Sequence, residues 1–255
     1  MFQFFITESD LTYDGAGTPC GVEITGADKN HMKNALRMHV GEEFLVCVED
    51  TDGVTYRCRV AEFLPDVVRC EILAGVEECT ELPCRITLYQ GLAKGDKMET
   101  IIQKAVELGA SRIVPVAMKH CVVKLDAKKA THKVTRYNAV ALSAAKQSKR
   151  QRIPEVTDVC VFAEAAKRAK EETVCLVPYE NARGMQATKE ALAGIRPGDS
   201  VGIFIGPEGG FSEEEIAALK AQNAQVISLG SRILRTETAG MTALSVLMYT
   251  LETLT

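Results

Sequence analysis

Apolar and polar residues alternate in short runs through the first third of the chain, a pattern typical of β-strands. The runs read QFFIT, EFLVCVED, VTYRCRVAEF and DVVRCEIL. One helical stretch interrupts them at about residues 27–38, and basic side chains four residues apart share one of its faces: Lys29, Lys33 and Arg37. Together these elements predict a small β-barrel-like module over residues 1–73.

From residue 84 onwards, strands alternate with amphipathic helices. RITLYQGL predicts a strand, and KMETIIQKAVELG predicts a helix with an apolar stripe of Met98, Ile101, Ile102, Ala105 and Leu108. A long basic helix is expected near 127–148 and a closing helix from about 237. This alternation predicts an α/β fold with a mostly parallel sheet over residues 84–255. The acidic, proline-containing stretch 74–83 is interpreted as a linker.

Composition indicates an ordinary globular protein without a membrane span or a metal site. No apolar stretch reaches the ~18 residues of a transmembrane helix. The N-terminal segment MFQFFITESD lacks a basic flank, so it does not resemble a secretory signal. The nine cysteines form no C-x-x-C pair and have no His at ligand spacing. We therefore expect reduced cysteines, no bound metal and a cytoplasmic location.

Charge is distributed unevenly along the chain. The net charge is −4, yet residues 119–152 contain ten Lys or Arg and one acid, which makes this segment +9 and the remainder −13. Such a segment is either a solvated helical face or a surface for a polyanion such as nucleic acid.

Three predicted strands end in loops of unusual composition: VPYENA (177–182), GPEGGFSEEE (206–215) and LGSRILRTETAG (229–240). Ligands of parallel sheets bind beyond such strand ends. Neither a G-x-G-x-x-G dinucleotide motif nor a phosphate-binding P-loop is present. Gly209 and Gly210 would let the backbone approach a ligand closely. Ser212 and Glu215 also form a capping-box pattern, so a capped turn explains part of the acidity.

The two motifs GPEGGFSEEEI and SLGSRILRTETAGMTAL closely resemble the closing motifs of the bacterial 16S ribosomal RNA (uracil-N3)-methyltransferase family, RsmE, of the SPOUT superfamily. The resemblance continues, in chain order, through HMKNALRMHVGEE, KGDKMETIIQKAVELGASRIVPV, VVKLD and AAKQSKRQRIPEV. It therefore covers nearly the whole chain.

The resemblance implies an N-terminal PUA-like RNA-binding barrel and a C-terminal methyltransferase domain with a trefoil knot, acting as a homodimer. It implies S-adenosylmethionine as the cofactor and 16S rRNA within the assembled small ribosomal subunit as the partner. A glycine-rich loop without Lys or Arg suits this cofactor, which carries a sulfonium and an ammonium but no phosphate. The implied cofactor residues are Leu176, Val177, Gly206, Pro207, Glu208, Gly209, Leu229, Gly230, Ile233, Leu234 and Arg235. Glu208 either contacts the cofactor or holds the loop from behind.

Two side chains are candidates for catalysis. Arg235 would stabilise the negative charge that forms on the uracil oxygens when N3 loses its proton. The alternative role for Arg235 is a structural ion pair with Glu208 or Glu237. Glu237 would be the base or would orient it; its alternative is an acid in the first turn of a helix capped by Thr236.

The predicted RNA contacts come from the helical stripe of the barrel and from the end of the basic segment: Lys29, Lys33, Arg37, Lys146, Lys149, Arg150 and Arg152. The chain departs from the family pattern at His120-Cys121, where many members have Arg-Ser, and at Lys146, where many have Glu. A ribose 2′-O-methyltransferase of the SpoU type is one alternative, but its Asn-x-Gly-x-x-Arg and Ser-Leu-Asn motifs are missing. A non-catalytic RNA-binding protein is the other.

Overall fold

The computed structural model describes residues 1–49, 51 and 53–253 and divides the chain into two units. The first unit contains Met1–Glu81 together with Lys149–Arg152, and the second contains Leu82–Ser148 and the residues from Ile153 onwards. The boundary thus falls inside the predicted linker 74–83. The prediction of an uninterrupted domain over 84–255 differs from the structure at residues 149–152, which belong to the first unit.

Among its described residues, the first unit is built on a six-stranded sheet with the order β1-β4-β5-β6-β3-β2, antiparallel except for the β1–β4 pair. Phe4 and Phe44 pack edge to face in its core, with ring centroids 5.6 Å apart. The strands are β1 (Gln3–Ile6), β2 (Leu11–Tyr13), β3 (Pro19–Ile24), β4 (Glu43–Val48), β5 (Thr55–Phe63) and β6 (Val68–Gly75).

The predicted helix at 27–38 is shorter and less regular than expected. It consists of α1 (Gly26–Asn30) followed by a π-helical turn over His31–Ala35. Arg37 then has a left-handed backbone with φ 53°. The prediction that Lys29, Lys33 and Arg37 line one face of a single α-helix is therefore wrong, because the helix ends before Arg37.

The second unit contains a parallel sheet with the order β10-β8-β7-β12-β11-β13, and β9 pairs with β8. The predicted α/β fold is confirmed. Tyr89 and Phe204 stack on neighbouring strands of this sheet, with centroids 4.3 Å apart. The strands are β7 (Arg85–Gly91), β8 (Arg112–Ala117), β9 (Glu155–Val156), β10 (Cys160–Val161), β11 (Val174–Pro178), β12 (Ser200–Ile205) and β13 (Gln225–Ile227).

In the described part of this unit, six helices accompany the sheet. The stripe predicted on the first of them is confirmed, since Met98, Ile101, Ile102 and Ala105 are buried. The helices are α2 (Lys97–Glu107), α3 (Ala127–Ser148), α4 (Phe162–Ala169), α5 (Gln186–Ala193), α6 (Glu213–Ala221) and α7 (Thr236–Glu252).

The segment 149–152 leaves the end of α3 and packs into the first unit. Lys149 has a left-handed backbone with φ 63°, which turns the chain after the helix. Arg150 is then buried, with a relative exposure of 4%, and its Nε donates to Glu81 Oε1 at 2.9 Å. The amide of Gln151 donates to the same carboxylate oxygen at 2.9 Å. Glu81 therefore anchors this segment through side-chain and backbone hydrogen bonds.

Candidate functional site

A cleft of about 1090 Å³ opens at the carboxyl ends of β11, β12 and β13 in the second unit. Its walls are the loops that follow these three strands, as expected for a parallel sheet. Lys97 at the start of α2, together with Thr236 and Ala239 in α7, completes the lining. The three loops singled out by composition therefore meet at one site.

The structure brings most of the predicted cofactor residues to this cleft: Gly206, Pro207, Glu208, Leu229, Gly230, Ile233, Leu234 and Arg235. Leu176 and Val177 do not line it, because both are buried inside β11. The first loop instead lines the cleft with residues 178–185, which include Tyr179, Asn181 and Arg183.

Gly209 is packed against the loop that follows β8 and is absent from the cleft lining. A Cβ added at Gly209 would lie 2.8 Å from His120 Cβ and 3.0 Å from the His120 carbonyl oxygen. The Nδ1 atom of His120 lies 3.1 Å from the Gly209 carbonyl oxygen. Of the two neighbouring glycines, Gly210 has a left-handed backbone conformation, with φ 69°, and Gly209 does not. Gly209 is thus required for close packing behind the loop.

The acidity at the start of α6 has a structural explanation. Ser212 Oγ accepts from the amide of Glu215 at 3.3 Å, and Glu215 Oε2 accepts from the amide of Ser212 at 2.9 Å. The predicted capping box is confirmed. Hydrogen bonding to Ser212, with contributions from its own amide and Lys119, lowers the pKa of Glu214 to about 2.

Glu208 is held by the loop that precedes α2. Its Oε1 accepts from the amide of Lys94 at 3.1 Å and lies 3.4 Å from Lys97 Nζ. Its Oε2 is buried and has no hydrogen-bond partner among the described residues. Burial by itself raises the pKa of Glu208, but backbone amides and the Lys97 ammonium outweigh burial and lower it.

Arg235 lines the cleft immediately before α7 and is exposed. No ion pair of Arg235 with Glu208 or Glu237 is found in the described part of the chain. Both carboxylates contact Lys97 instead, Glu237 at 3.3 Å. Glu237 does not line the cleft, and its Oε2 is buried without a hydrogen-bond partner among residues that the structure describes.

A buried chain of polar side chains, which sequence reasoning missed, fixes the second loop. Gln90 Nε2 donates to Thr236 Oγ1 at 2.9 Å, and Thr236 Oγ1 donates to the Gly206 carbonyl oxygen at 2.6 Å. Thr236 is the first residue of α7, and Arg235 occupies the cap position. The prediction that Thr236 caps this helix is therefore wrong. The detectable signal was Gln90, a polar residue inside the apolar strand RITLYQG.

The predicted RNA contacts are divided between the units. Lys33 and Arg37 are exposed in the first unit, whereas Lys29 is half-buried and its Nζ donates to the Pro65 carbonyl oxygen. Lys149 Nζ donates to the Met1 carbonyl oxygen at 2.7 Å. Arg152 is exposed in the first unit, and Lys146 is half-buried near the end of α3. The prediction for Arg150 is wrong, because its guanidinium is buried against Glu81.

Neither a metal cluster nor a membrane span is found in residues 1–49, 51 and 53–253. No three His, Cys, Asp or Glu side chains come together there as ligands would. The helices in that part of the chain are too short or too polar to cross a bilayer.

Family profiles match both units. Residues 80–248 match a profile described as an RNA methyltransferase domain, and residues 24–62 match one described as an RNA methyltransferase PUA domain. Ribosomal RNA small subunit methyltransferase E of Bacillus subtilis (strain 168) is 38% identical over 257 residues, covering 100% of this chain and 98% of that protein. The protein of the same name from Synechocystis sp. is 30% identical over 232 residues, covering 91% and 74%.

Solved structures agree with these matches. Ribosomal RNA small subunit methyltransferase E from Neisseria gonorrhoeae, bound to S-adenosyl methionine, has a TM-score of 0.79 at 30% identity, with 96% of each chain covered. A Legionella pneumophila protein in complex with the bound cofactor SAM has a TM-score of 0.80 at 28% identity, with 97% of each chain covered. The expected PUA-like and methyltransferase units are confirmed. The chain belongs to the RNA methyltransferase family that includes ribosomal RNA small subunit methyltransferase E.

Proposed function

We propose that the chain transfers a methyl group from S-adenosylmethionine to N3 of a uridine in 16S ribosomal RNA. The observation that carries this proposal is the cleft formed by three strand-end loops in a chain that matches the Bacillus subtilis relative along its whole length. Two of the related structures contain the cofactor.

The residues of the cleft fit such a cofactor. Its size is that of a small-molecule site, for which several hundred to ~1,000 Å³ is typical. The wall formed by residues 205–208 has no basic side chain of its own and presents the partly buried carboxylate of Glu208. The network of Glu208, Glu237 and Lys97 carries two negative charges and one positive charge. A ligand with a sulfonium and an ammonium complements this wall better than a phosphate does.

Arg235 is the proposed electrostatic catalyst. When bound, the cofactor supplies an electrophilic methyl group. Uracil N3 must lose its proton, and the resulting negative charge spreads over the ring oxygens. The Arg235 guanidinium lines the cleft, and the carboxylates of Glu208 and Glu237 contact Lys97 rather than Arg235. Arg235 is therefore available to donate to a ring oxygen as charge develops.

Glu237 is the proposed proton acceptor, or the group that orients it. It lies in the first turn of α7, two residues after Arg235, so the positions of both side chains depend on where that helix begins. Its carboxylate contacts Lys97 at 3.3 Å, so the Lys97 ammonium holds the side chain in place.

The RNA surface is proposed to include exposed basic residues of both units. In the first unit these are Lys33, Arg37 and Arg152. In the second, the segment that begins beside the cleft at His120 continues with exposed Lys124 and Lys128 into α3. We name Lys124 and Lys128 the α3 entry lysines. No ion pair of either is found in the described residues, so both are available to RNA phosphates.

Homodimerisation and a cytoplasmic location are part of the proposal. Val246 and Tyr249 lie one turn apart on α7 and are 38% and 71% exposed, which supports a contact between two copies. The scattered spacing of the nine cysteines, without a C-x-x-C pair, supports a reducing compartment. Light scattering coupled to gel filtration should give twice the monomer mass for the wild type. The Tyr249→Glu variant should have the mass of one monomer.

The test is methyl transfer from labelled cofactor to small ribosomal subunits and to naked 16S rRNA, followed by nucleoside analysis. We expect 3-methyluridine, with more product from the assembled subunits. Label on a ribose 2′-oxygen would support the SpoU-type alternative. RNA binding without any transfer to either substrate would support a non-catalytic protein.

A further inference from the structure

Lys97, the first residue of α2, lies between two acidic side chains that come from different parts of the chain. Its Nζ is 3.4 Å from Glu208 Oε1 in the second cleft loop and 3.3 Å from Glu237 Oε2 in the first turn of α7. Lys97 and Glu208 also line the cleft. We infer that Lys97 is a positioning residue for methyl transfer, which holds the second loop and the start of α7 in register.

The three side chains are sufficiently shielded for their charges to matter. Their relative exposures are 29% for Lys97, 20% for Glu208 and 18% for Glu237. Exposed ion pairs contribute little because water screens them, whereas partly buried ones are screened much less. One ammonium here serves two carboxylates. Without it, two like charges would remain close together in a shielded site.

The backbone leaves the second loop little freedom to relieve that repulsion. A Cβ added at Gly91, at the end of β7, would lie 2.6 Å from the Pro207 nitrogen and 2.7 Å from Pro207 Cδ. The loop is therefore in direct backbone contact with β7 just before Glu208. The amide of Lys94 also holds Glu208 Oε1 at 3.1 Å. Since Glu208 is held in place, loss of the ammonium should displace Glu237 and the first turn of α7.

That displacement would reach the proposed catalytic group. Arg235 is the residue that caps α7, and Glu237 follows in the first turn. A shift of this turn moves the guanidinium relative to the cleft, and a misplacement of about 1 Å can cost ~10²-fold in rate. This inference rests on the proposed function, because it assigns Lys97 a role in the same reaction.

The chain contains a matched control on the same helix. Lys104 in α2 pairs with Glu107 at 2.7 Å, and the two side chains are 39% and 24% exposed. This pair does not line the cleft. Lys104→Met therefore removes a lysine and an ion pair of similar kind from α2 while the cleft stays intact.

The experiment compares Lys97→Met, Lys97→Arg and Lys104→Met, and measures kcat and KM for small ribosomal subunits and cofactor affinity by calorimetry. We expect Lys97→Met to lower kcat by about 10- to 100-fold with KM for the subunit within about twofold. Lys97→Arg should recover most of the loss, and Lys104→Met should match wild type. A Lys97→Met enzyme with wild-type kcat and cofactor affinity, or equal losses in both Met variants, would overturn the inference.

A double-mutant cycle separates this inference from the proposed function. Glu237→Gln should cost clearly less in the Lys97→Met background than in wild type, because the two residues act through one contact. Additive losses would contradict the assigned contact. If wild type transfers no methyl group at all, the proposed function fails. The cycles of Lys97 with Glu208 and Glu237 are then measured by cofactor affinity. Coupling in these cycles would support Lys97 as the residue that holds the second loop and the start of α7 in register, and additivity would contradict it.

Discussion

Arg150 and Glu81 form a buried ion pair across 69 residues of sequence, in which Arg150 Nε donates to Glu81 Oε1 at 2.9 Å. The side chains are only 5% and 12% exposed. The pair ties the segment after α3 to the first unit. Arg150 is accordingly a structural residue, although its place in the basic segment predicted an RNA contact.

Arg150→Ala should destabilise the protein and leave the salt dependence of RNA binding unchanged. Loss of one partner from a buried ion pair leaves an uncompensated charge, which costs about 3–5 kcal/mol. Urea unfolding measures this cost. The control is Arg59→Ala, which breaks the exposed pair with Glu71 in the same unit and should cost ~1 kcal/mol or less. Equal costs for the two variants would contradict a structural role for Arg150.

Gly209→Val should weaken cofactor binding while the circular dichroism spectrum stays native. Any Cβ at Gly209 meets His120, so the second loop must move away from the segment after β8 and distort the cleft wall. Calorimetry of cofactor binding measures the effect. Gly209→Ala should be milder, and His120→Gly should restore part of the affinity of Gly209→Ala. An unchanged affinity in Gly209→Val would show that this contact does not shape the cleft.

Arg235→Ala should reduce turnover much more than cofactor binding. A group aimed at developing charge typically contributes ~10²–10³ in rate. Single-turnover methylation measures this loss, and Arg235→Lys should recover a part of it, since lysine keeps the charge without the planar donors. Reduced cofactor affinity with normal turnover would instead assign Arg235 to ground-state binding.

Acid should remove a stabilising contribution of Glu208. The pKa of Glu208 is lowered in the folded protein from an ordinary value of 4.5. A carboxyl whose folded pKa is lowered stabilises the protein above its unfolded pKa, and this contribution is lost as pH falls through the folded pKa. The difference in unfolding free energy between wild type and Glu208→Gln should therefore be constant from pH 7 to 6 and shrink below about pH 4.5. A difference that grows towards acid would contradict the assignment.

The α3 entry lysines, Lys124 and Lys128, should contribute to the salt dependence of RNA binding. Each phosphate contact contributes about 0.7–0.9 to the slope of log affinity against log salt, so the double Ala variant should flatten the slope by roughly one to two units. Lys170 and Lys220 are exposed lysines elsewhere in the second unit and provide the control pair. Identical slopes for wild type and the Lys124/Lys128 variant would remove this surface from the proposal.

Local patterns predicted the local structure well. The basic helix over 127–148 has the expected bounds, and the capping box of Ser212 and Glu215 forms as predicted, because both depend on residues close in sequence. The strand β3 was missed, since it contains Pro19 and Gly21, residues that are unfavourable in strands.

Long-range contacts could not be predicted in the same way. Nothing near Lys97 indicates that its two carboxylate partners lie more than one hundred residues away. Three cleft loops were found because glycine and polar residues after apolar strands are visible in the sequence. The trefoil knot, homodimerisation and the roles of Glu237 and Arg235 stay predictions.

The return of residues 149–152 to the first unit has a consequence for biosynthesis. A nascent chain that has emerged from the ribosome only as far as Glu81 has every strand of the first sheet but lacks Arg150. Water alone is then available to hydrogen-bond to the Glu81 carboxylate in place of the Arg150 guanidinium. The N-terminal unit therefore reaches its final stability only after the ribosome has added about seventy further residues, including the whole of α3. A gene fragment cut at the apparent boundary would encode an incomplete unit. Adding the tetrapeptide Lys149–Arg152 through a flexible linker is the natural way to restore it.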